Sequence, residues 1–171
     1  DEGEWSYTPD KPLGEGEHEL SVVEKDPDGN TSPPSDPIVI VVDTIAPKAP
    51  TIEHIMDKVG KVTGEILEDA YTDDPKPEMS GTGEAGATIT IYDNGKKIGE
   101  TTVNDDGRWY FKPSENLADG SHSITVSQTD KAGNVSKPSD DREFMVLTEP
   151  PGKAETPDVI DNTGPVTGPL K

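Results

Sequence analysis

The sequence predicts an all-β fold used in tandem, and three observations carry that prediction. First, the chain repeats itself. Gly3-Glu4-Trp5-Ser6-Tyr7 returns as Gly107-Arg108-Trp109-Tyr110-Phe111, and Asp26, Gly29 and Asn30 return as Asp130, Gly133 and Asn134. Leu13, Gly16 and His18 return as Leu117, Gly120 and His122, and Asp57, Gly60, Val62, Thr63 and Gly64 as Asp161, Gly164, Val166, Thr167 and Gly168, every pair 104 residues apart. Laid over each other without a gap, residues 3–67 and 107–171 agree at 22 of 65 positions. A constant period over that length implies one supersecondary unit used again. Second, short runs alternate apolar and polar residues. Third, turn residues separate those runs, with no helical periodicity between them.

The complete unit reads as seven short strands. Pro50 to Met56 is the first, ended by Asp57-Lys58-Val59-Gly60. A polar stretch from Thr63 to Lys76 follows, then a short strand from Glu78 to Thr82 and a turn at Glu84-Ala85-Gly86. Ala87 to Tyr92 alternates as A-T-I-T-I-Y, the period-2 pattern of a half-buried strand. Asn94-Gly95 is a strong hairpin signal, because both central residues of a type I′ turn need positive φ. Lys97 to Val103 returns, Asn104 to Gly107 turns, and Arg108 to Lys112 is an aromatic strand. His122 to Thr129 and a last strand ending at Phe144-Met145-Val146 complete the unit. Seven antiparallel strands so closely punctuated specify an immunoglobulin-type β-sandwich, with Trp109, Ile91, Ile124, Val126 and Leu117 in its core.

The period also divides the chain. Residues 1–45 are expected to be the last three strands of a preceding repeat, 46–149 one whole repeat and 150–171 the start of the next. With no initiator Met or signal peptide, the chain is expected to be an excerpt of a longer protein. Strand alternation assigns two poles. The turns at Glu84, Asp105 and Asp130 share one end with the incoming linker; residues 57–76, the Asp93 turn and Asp119 share the other. The linker Val42-Asp43-Thr44-Ile45-Ala46-Pro47 is short and stiffened by proline, so tandem units should form a rod.

Composition narrows the function. A net charge of −20, from 35 acidic against 15 basic residues, argues against nucleic acid and anionic membrane surfaces, which call for clustered Lys and Arg. The absence of Cys excludes disulfides and thiolate metal sites. No apolar run is long enough to cross a membrane.

The motifs T-D-D-x-x-P-x-x-S-G-T-G-E-x-G-A-T-I-T-I-Y-D-N-G (Thr72 to Gly95), G-x-W-x-x-x-P (Gly107 to Pro113), L-A-D-G-x-H (Leu117 to His122), T-D-x-A-G-N-x-S (Thr129 to Ser136) and V-D-T-x-A-P (Val42 to Pro47) resemble the bacterial Ig-like repeats of giant secreted adhesins and biofilm-associated proteins. The resemblance covers essentially the whole chain. It implies a Gram-negative cell-surface protein exported by a type I system, in which such repeats are extender modules and Ca²⁺ near domain junctions stiffens the array. The second junction departs from the pattern, reading Val146-Leu147-Thr148-Glu149-Pro150-Pro151 without the linker Asp.

Within that frame the pole argument brings Asp43 near Glu84, Asp105 and Asp130. Hard oxygen ligands of this kind suit Ca²⁺ rather than Zn²⁺. Asp57, Asp69, Asp73 and Asp74 form a weaker second cluster whose default reading is a solvated loop. Asp26-Pro27-Asp28-Gly29-Asn30 reads equally as half a calcium loop and as an Asx-turn. Gly81 to Gly86 matches G-x-G-x-x-G, but a strand follows where a dinucleotide site needs a helix, so it reads as a turn. Asn30-Thr31-Ser32 and Asn134-Val135-Ser136 fit a glycosylation pattern common by chance, and His18, His54 and His122 have no partner motif. No catalytic motif is found, so no enzyme is expected. The leading function is therefore a structural spacer partnered by neighbouring repeats. The alternatives are a glycan- or host-protein-binding module and an accessory domain of a secreted enzyme; spare aromatics (Tyr71, Tyr92, Tyr110) would have to supply any stacking platform.

Overall fold

The computed structural model of the chain describes residues 3–150, 152, 160–161 and 168–169. An N-terminal two-stranded sheet pairs β1 (Gly16–Leu20) with β2 (Ile38–Val42). Nine strands follow: β3 (Thr51–Asp57), β4 (Gly64–Glu65), β5 (Ala70–Thr72), β6 (Glu78–Thr82), β7 (Thr88–Asp93), β8 (Lys96–Thr102), β9 (Arg108–Phe111), β10 (Gly120–Thr129) and β11 (Arg142–Val146). They form two sheets, ordered β4-β3-β6-β9 and β5-β11-β10-β7-β8. The short pair β12 (Ile160–Asp161) and β13 (Gly168–Pro169) lies in the expected third unit, most of which falls outside the described residues.

The two sheets enclose one apolar core, as the alternation requires. Trp109, Ile91, Ile124, Val126 and Leu117 are all buried, joined by Ile55, Met79, Ile89, Phe144 and Val146. Each such side chain contributes about 1.5–3 kcal/mol by leaving water. Trp109 is wholly inaccessible, and its indole N–H donates to the Thr51 carbonyl at 3.1 Å. Gly81 makes this possible: a Cβ there would stand 1.9 Å from the Thr51 oxygen and 2.9 Å from the Trp109 ring. The β7–β8 hairpin turns through Asn94 (φ 48°) and Gly95 (φ 77°), the positive pair a type I′ turn demands.

Three expectations are corrected. The polar stretch from Thr63 to Lys76 is not all loop, and the strands are not all antiparallel. The chain leaves the first sheet through β4, buries Ile66, turns at Asp69 (φ 58°), and enters the second sheet as β5, parallel to β11. Pairing Ala70, Tyr71 and Thr72 with Phe144, Met145 and Val146 satisfies the outer backbone groups of β11. Three residues carry too little alternation to announce a strand. At the other end, Gly3 to Tyr7 forms no strand, so residues 3–45 hold two strands rather than three. Trp5, at the repeat position of Trp109, is 68% exposed.

The local structure repeats with the sequence. Gly16↔Val42 through Leu20↔Ile38 reappears as Gly120↔Val146 through Ile124↔Arg142. The bridge Lys25↔Thr31 reappears as Thr129↔Val135. Met56↔Glu65 and Asp57↔Gly64 reappear as Ile160↔Pro169 and Asp161↔Gly168. Each pairing is shifted by the same 104 residues as the sequence (16 + 104 = 120, 56 + 104 = 160).

Candidate functional site

The turns assigned to the incoming pole do meet there. The Gly83 N–H donates to the Gly107 carbonyl at 3.0 Å, joining the Glu84 turn to the turn that carries Asp105. Asp43 and Glu84 line one open cleft with Pro47, Lys48 and Gln128. Asp130 connects through Asn134, whose side-chain N–H₂ donates to Asp130 Oδ2 at 2.9 Å and to the Asp43 carbonyl at 3.1 Å.

The four carboxylates share this end without converging as side chains. Both Asp130 oxygens serve their own loop, Oδ1 accepting the backbone N–H groups of Ala132 and Asn134 at 2.9 and 2.8 Å. Partial desolvation pushes the Asp130 pKa up, but the Asn134 side chain and the loop N–H groups outweigh it and hold the carboxyl below its usual 3.8. Asp26 repeats the contacts to Asn30, Oδ1 accepting its backbone N–H and Oδ2 its side chain, both at 2.8 Å, while the Asx-turn bond to the residue two further on is made by Asp130 to Ala132. Asp43 Oδ1 accepts the Ile45 N–H at 3.1 Å. Asp105 is exposed, and its turn is closed by Asn104, whose Oδ1 accepts the Asp106 and Arg108 N–H groups. Among the described residues, the one group of three acidic side chains with ligand atoms mutually within 4.8 Å is Glu68, Asp69 and Glu143. There Arg142 Nε pairs with Glu68 at 3.2 Å, and the Glu143 N–H donates to Glu68 Oε1, so the gathering has a structural cause.

The linker itself is anchored by residues that sequence reasoning missed. On one side, Thr44 donates its N–H to Glu15 Oε2 at 3.0 Å and its hydroxyl to Glu15 Oε1. On the other, the buried amide of Gln128 accepts the Glu84 N–H at 2.8 Å and donates to the Lys48 carbonyl at 2.7 Å. Gly83 leaves room for that amide, since a Cβ there would sit 2.7 Å from Gln128 Oε1. At the outgoing end the first anchor recurs, Thr148 bonding Asp119. The available signal was the period: Thr44 and Thr148 coincide, as do the acidic Glu15 and Asp119.

The lower cluster is only in part the solvated loop expected of it. Asp57 and Asp74 are buried, 6% and 2% exposed. Asp57 accepts the Thr72 hydroxyl at 2.5 Å and the Val59 N–H at 2.9 Å. Asp74 accepts the Lys58 and Lys76 N–H groups at 2.9 and 2.8 Å, and its own N–H donates to Thr72 Oγ1. These two carboxylates fasten the loop to the end of the sandwich by satisfying its backbone donors. Asp69 and Asp73 are exposed. Nearby, His122 is buried against Phe144, its ring nitrogens 2.8 Å from Asp93 Oδ2 and 2.8 Å from the Ala118 carbonyl.

The family model described as bacterial Ig-like domain matches residues 1–44 and again 49–146. The chain belongs to the bacterial Ig-like domain family. No curated protein matches it in sequence. Among solved structures it is similar to one described as "Biofilm associated protein - BSP domain", at 21% identity and a TM-score of 0.41, covering 83% of this chain and 21% of that one. It is also similar to CopC from Methylosinus trichosporium OB3b, at 20% identity and a TM-score of 0.32, covering 47% of this chain and 83% of that one. At such scores neither neighbour carries an argument about function.

The Ig-like repeat spreads its exposed aromatics. Tyr110 lies on β9 of the four-stranded sheet, and Tyr71 on β5 of the other. Tyr92, on β7, is separated from Tyr71 by β11 and β10. No two of these three stand on adjacent strands, so they do not build one stacking platform.

Proposed function

We propose that this chain is an extender segment of a large bacterial cell-surface adhesin, a non-enzymatic spacer whose partners are neighbouring repeats. The observation that carries this reading is the recurrence of strand registers 104 residues apart, one shared by the first and second units and another by the second and third. Such an array adds length without adding a site, and the short linker transmits direction from one unit to the next. The acidic surface keeps crowded copies soluble, and the cell surface is the compartment that needs reach; export by a type I system is part of the same reading.

Calcium belongs to this proposal. Asp43, Glu84, Asp105 and Asp130 lie at the incoming pole, and a cation there would relieve their mutual repulsion, with affinity on the order of 10⁻⁴ to 10⁻³ M as in extracellular modules. Binding requires the side chains to turn from their present partners toward one point. Asp57 and Asp74 fit this role poorly, since backbone donors already occupy them. Calorimetry on the chain should show weak Ca²⁺ binding that Asp43→Ala removes, and scattering should show an extended particle. An absence of heat, or a melting curve in Ca²⁺ that Asp43→Ala leaves unmoved, ends the calcium part; a compact scattering profile ends the spacer reading.

A further inference from the structure

The two copies differ in what lies beside one strand. In the complete repeat the backbone of β10 bonds in alternation. Val126 and Gln128 turn to Ser139 and Ser136, so Thr125, Ser127 and Thr129 face β7 on the other side. In the first copy Val22 and Glu24 turn to Ser35 and Ser32 in the same way. Ser21, Val23 and Lys25 therefore present their N–H and C=O groups to an edge that, among the described residues, carries no strand. A groove of about 890 Å³ lies beside that edge, walled by the exposed Trp5, Tyr7, Val22 and Val23. Its polar end is prepared as well. His122 touches the Ala118 carbonyl and Asp93 of β7, each at 2.8 Å. Its counterpart His18 keeps the first contact, to the Gly14 carbonyl at 2.7 Å, and its Nδ1 has no partner among the described residues.

We infer that the groove beside Leu20 to Lys25 is an acceptor site for one extended strand of the β7 type, Thr-Ile-Thr-Ile-Tyr-Asp, supplied by the front half of another bacterial Ig-like repeat. The repeated register decides the pairing. β7 meets β10 with Ile91 opposite Val126 and Asp93 opposite Ile124. A strand seated on the first copy sets its Ile91 opposite Val22 and its Asp93 opposite Leu20, each 104 residues earlier. There Ser21, Val23 and Lys25 gain ladder bonds, the two isoleucines fill the groove that Trp5 and Tyr7 wall, and the carboxylate reaches Nδ1 of His18. Main-chain bonds supply affinity in such strand addition, and the alternate side chains supply specificity. A second copy of the same apolar face would cover the groove but leave the edge groups and His18 unpartnered, so the occupant is a strand. The inference uses the repeated register alone and stands apart from the spacer role and from calcium.

The test uses the whole isotope-labelled chain and, as probe, a synthetic peptide of residues 86–95, which contains β7. On titration the Ser21, Val23 and Lys25 amides should shift and gain about tenfold or more in protection from exchange. The His18 ring signals should move, and the Trp5 emission should shift to shorter wavelength over the constant background of the buried Trp109. The peptide with Ile91→Asp should bind at least about tenfold more weakly, since it exchanges a buried side chain for a charge. The peptide with Asp93→Ala should also bind more weakly and leave the His18 ring signals unmoved. Both substitutions are in the peptide, so the folding of the chain is not at stake. Binding that ignores both substitutions overturns the site, as does an absence of shifts at residues 20–25. Shifts confined to residues 120–129 overturn it too, because the peptide would then have displaced its own parent strand. Self-association of the chain alone that protects the same three amides would make a second copy the occupant and reject the strand.

Discussion

Thr148 donates both its backbone N–H and its hydroxyl to one oxygen of Asp119, at 3.1 and 2.7 Å. The bond closes the outgoing end of the repeat, just where the chain leaves for the next. The Thr148 side chain and then its backbone N–H hold the Asp119 carboxyl below its usual 3.8, and Thr44 does the same for Glu15 below 4.5. A depressed folded-state pKa means the bond's contribution is present above the unfolded value and is lost as pH falls through the lower folded one. The Thr44 and Thr148 amide resonances should therefore hold steady from neutral pH and move only below the ordinary glutamate and aspartate values. A Thr148 midpoint at or above the ordinary aspartate value would mean that the latch is not formed in solution.

The two tryptophans at one repeat position should behave as opposites. Trp109→Ala removes a wholly buried side chain and should cost about 3–5 kcal/mol in urea unfolding monitored by circular dichroism. Trp5→Ala, at a site 68% exposed, should change stability by less than about 0.5 kcal/mol. Comparable losses at both positions would show that residues 3–45 pack in solution in a way the structure does not have.

Two glycines distinguish space from backbone conformation. Gly81→Ala would force a Cβ to within 1.9 Å of the Thr51 carbonyl and separate β3 from Trp109, a loss of about 1–3 kcal/mol or more. Gly95→Ala meets no atom within 4 Å but keeps a φ of 77°, so its cost of about 1–2 kcal/mol is conformational alone. Gly95→Asn should recover part of that cost, because Asn tolerates the left-handed region, whereas Gly81→Asn should be worse than Gly81→Ala. Unfolding curves that rank these pairs otherwise would contradict the turn and packing assignments.

The lower acidic cluster should divide into fasteners and bystanders. Asp74→Ala strands the Lys58 and Lys76 N–H groups at about 1–3 kcal/mol each where they remain buried, and added Ca²⁺ should not alter that loss. Asp73→Ala, on an exposed side chain, should stay within about 0.5 kcal/mol of wild type. Thermal melts with and without Ca²⁺ separate the two classes, and a calcium-dependent effect at Asp74 would restore the metal reading of this pole.

The sequence by itself determined whatever rests on local pattern. Alternation in Ala87 to Tyr92 and His122 to Thr129 fixed which side chains face inward, because a strand's side-chain period is two whatever its neighbours are. Asn94-Gly95 fixed a hairpin because its φ values are a property of those two residues. The period of 104 fixed the tandem arrangement. Only the tertiary structure decided which distant groups meet. Asp57 and Asp74 read as solvated acids in a polar stretch, yet they are buried, because Thr72 and three backbone N–H groups from other parts of the loop converge on them. Ala70 to Thr72 becomes a parallel strand because β11 offers an unpaired edge there. Trp5 and Trp109 are the same residue in the same local pattern, and one is exposed while the other is buried. A pattern specifies which face of a strand is apolar; burial and hydrogen bonding need a partner element to close over that face, and the partner is chosen by packing across the chain rather than by neighbours along it.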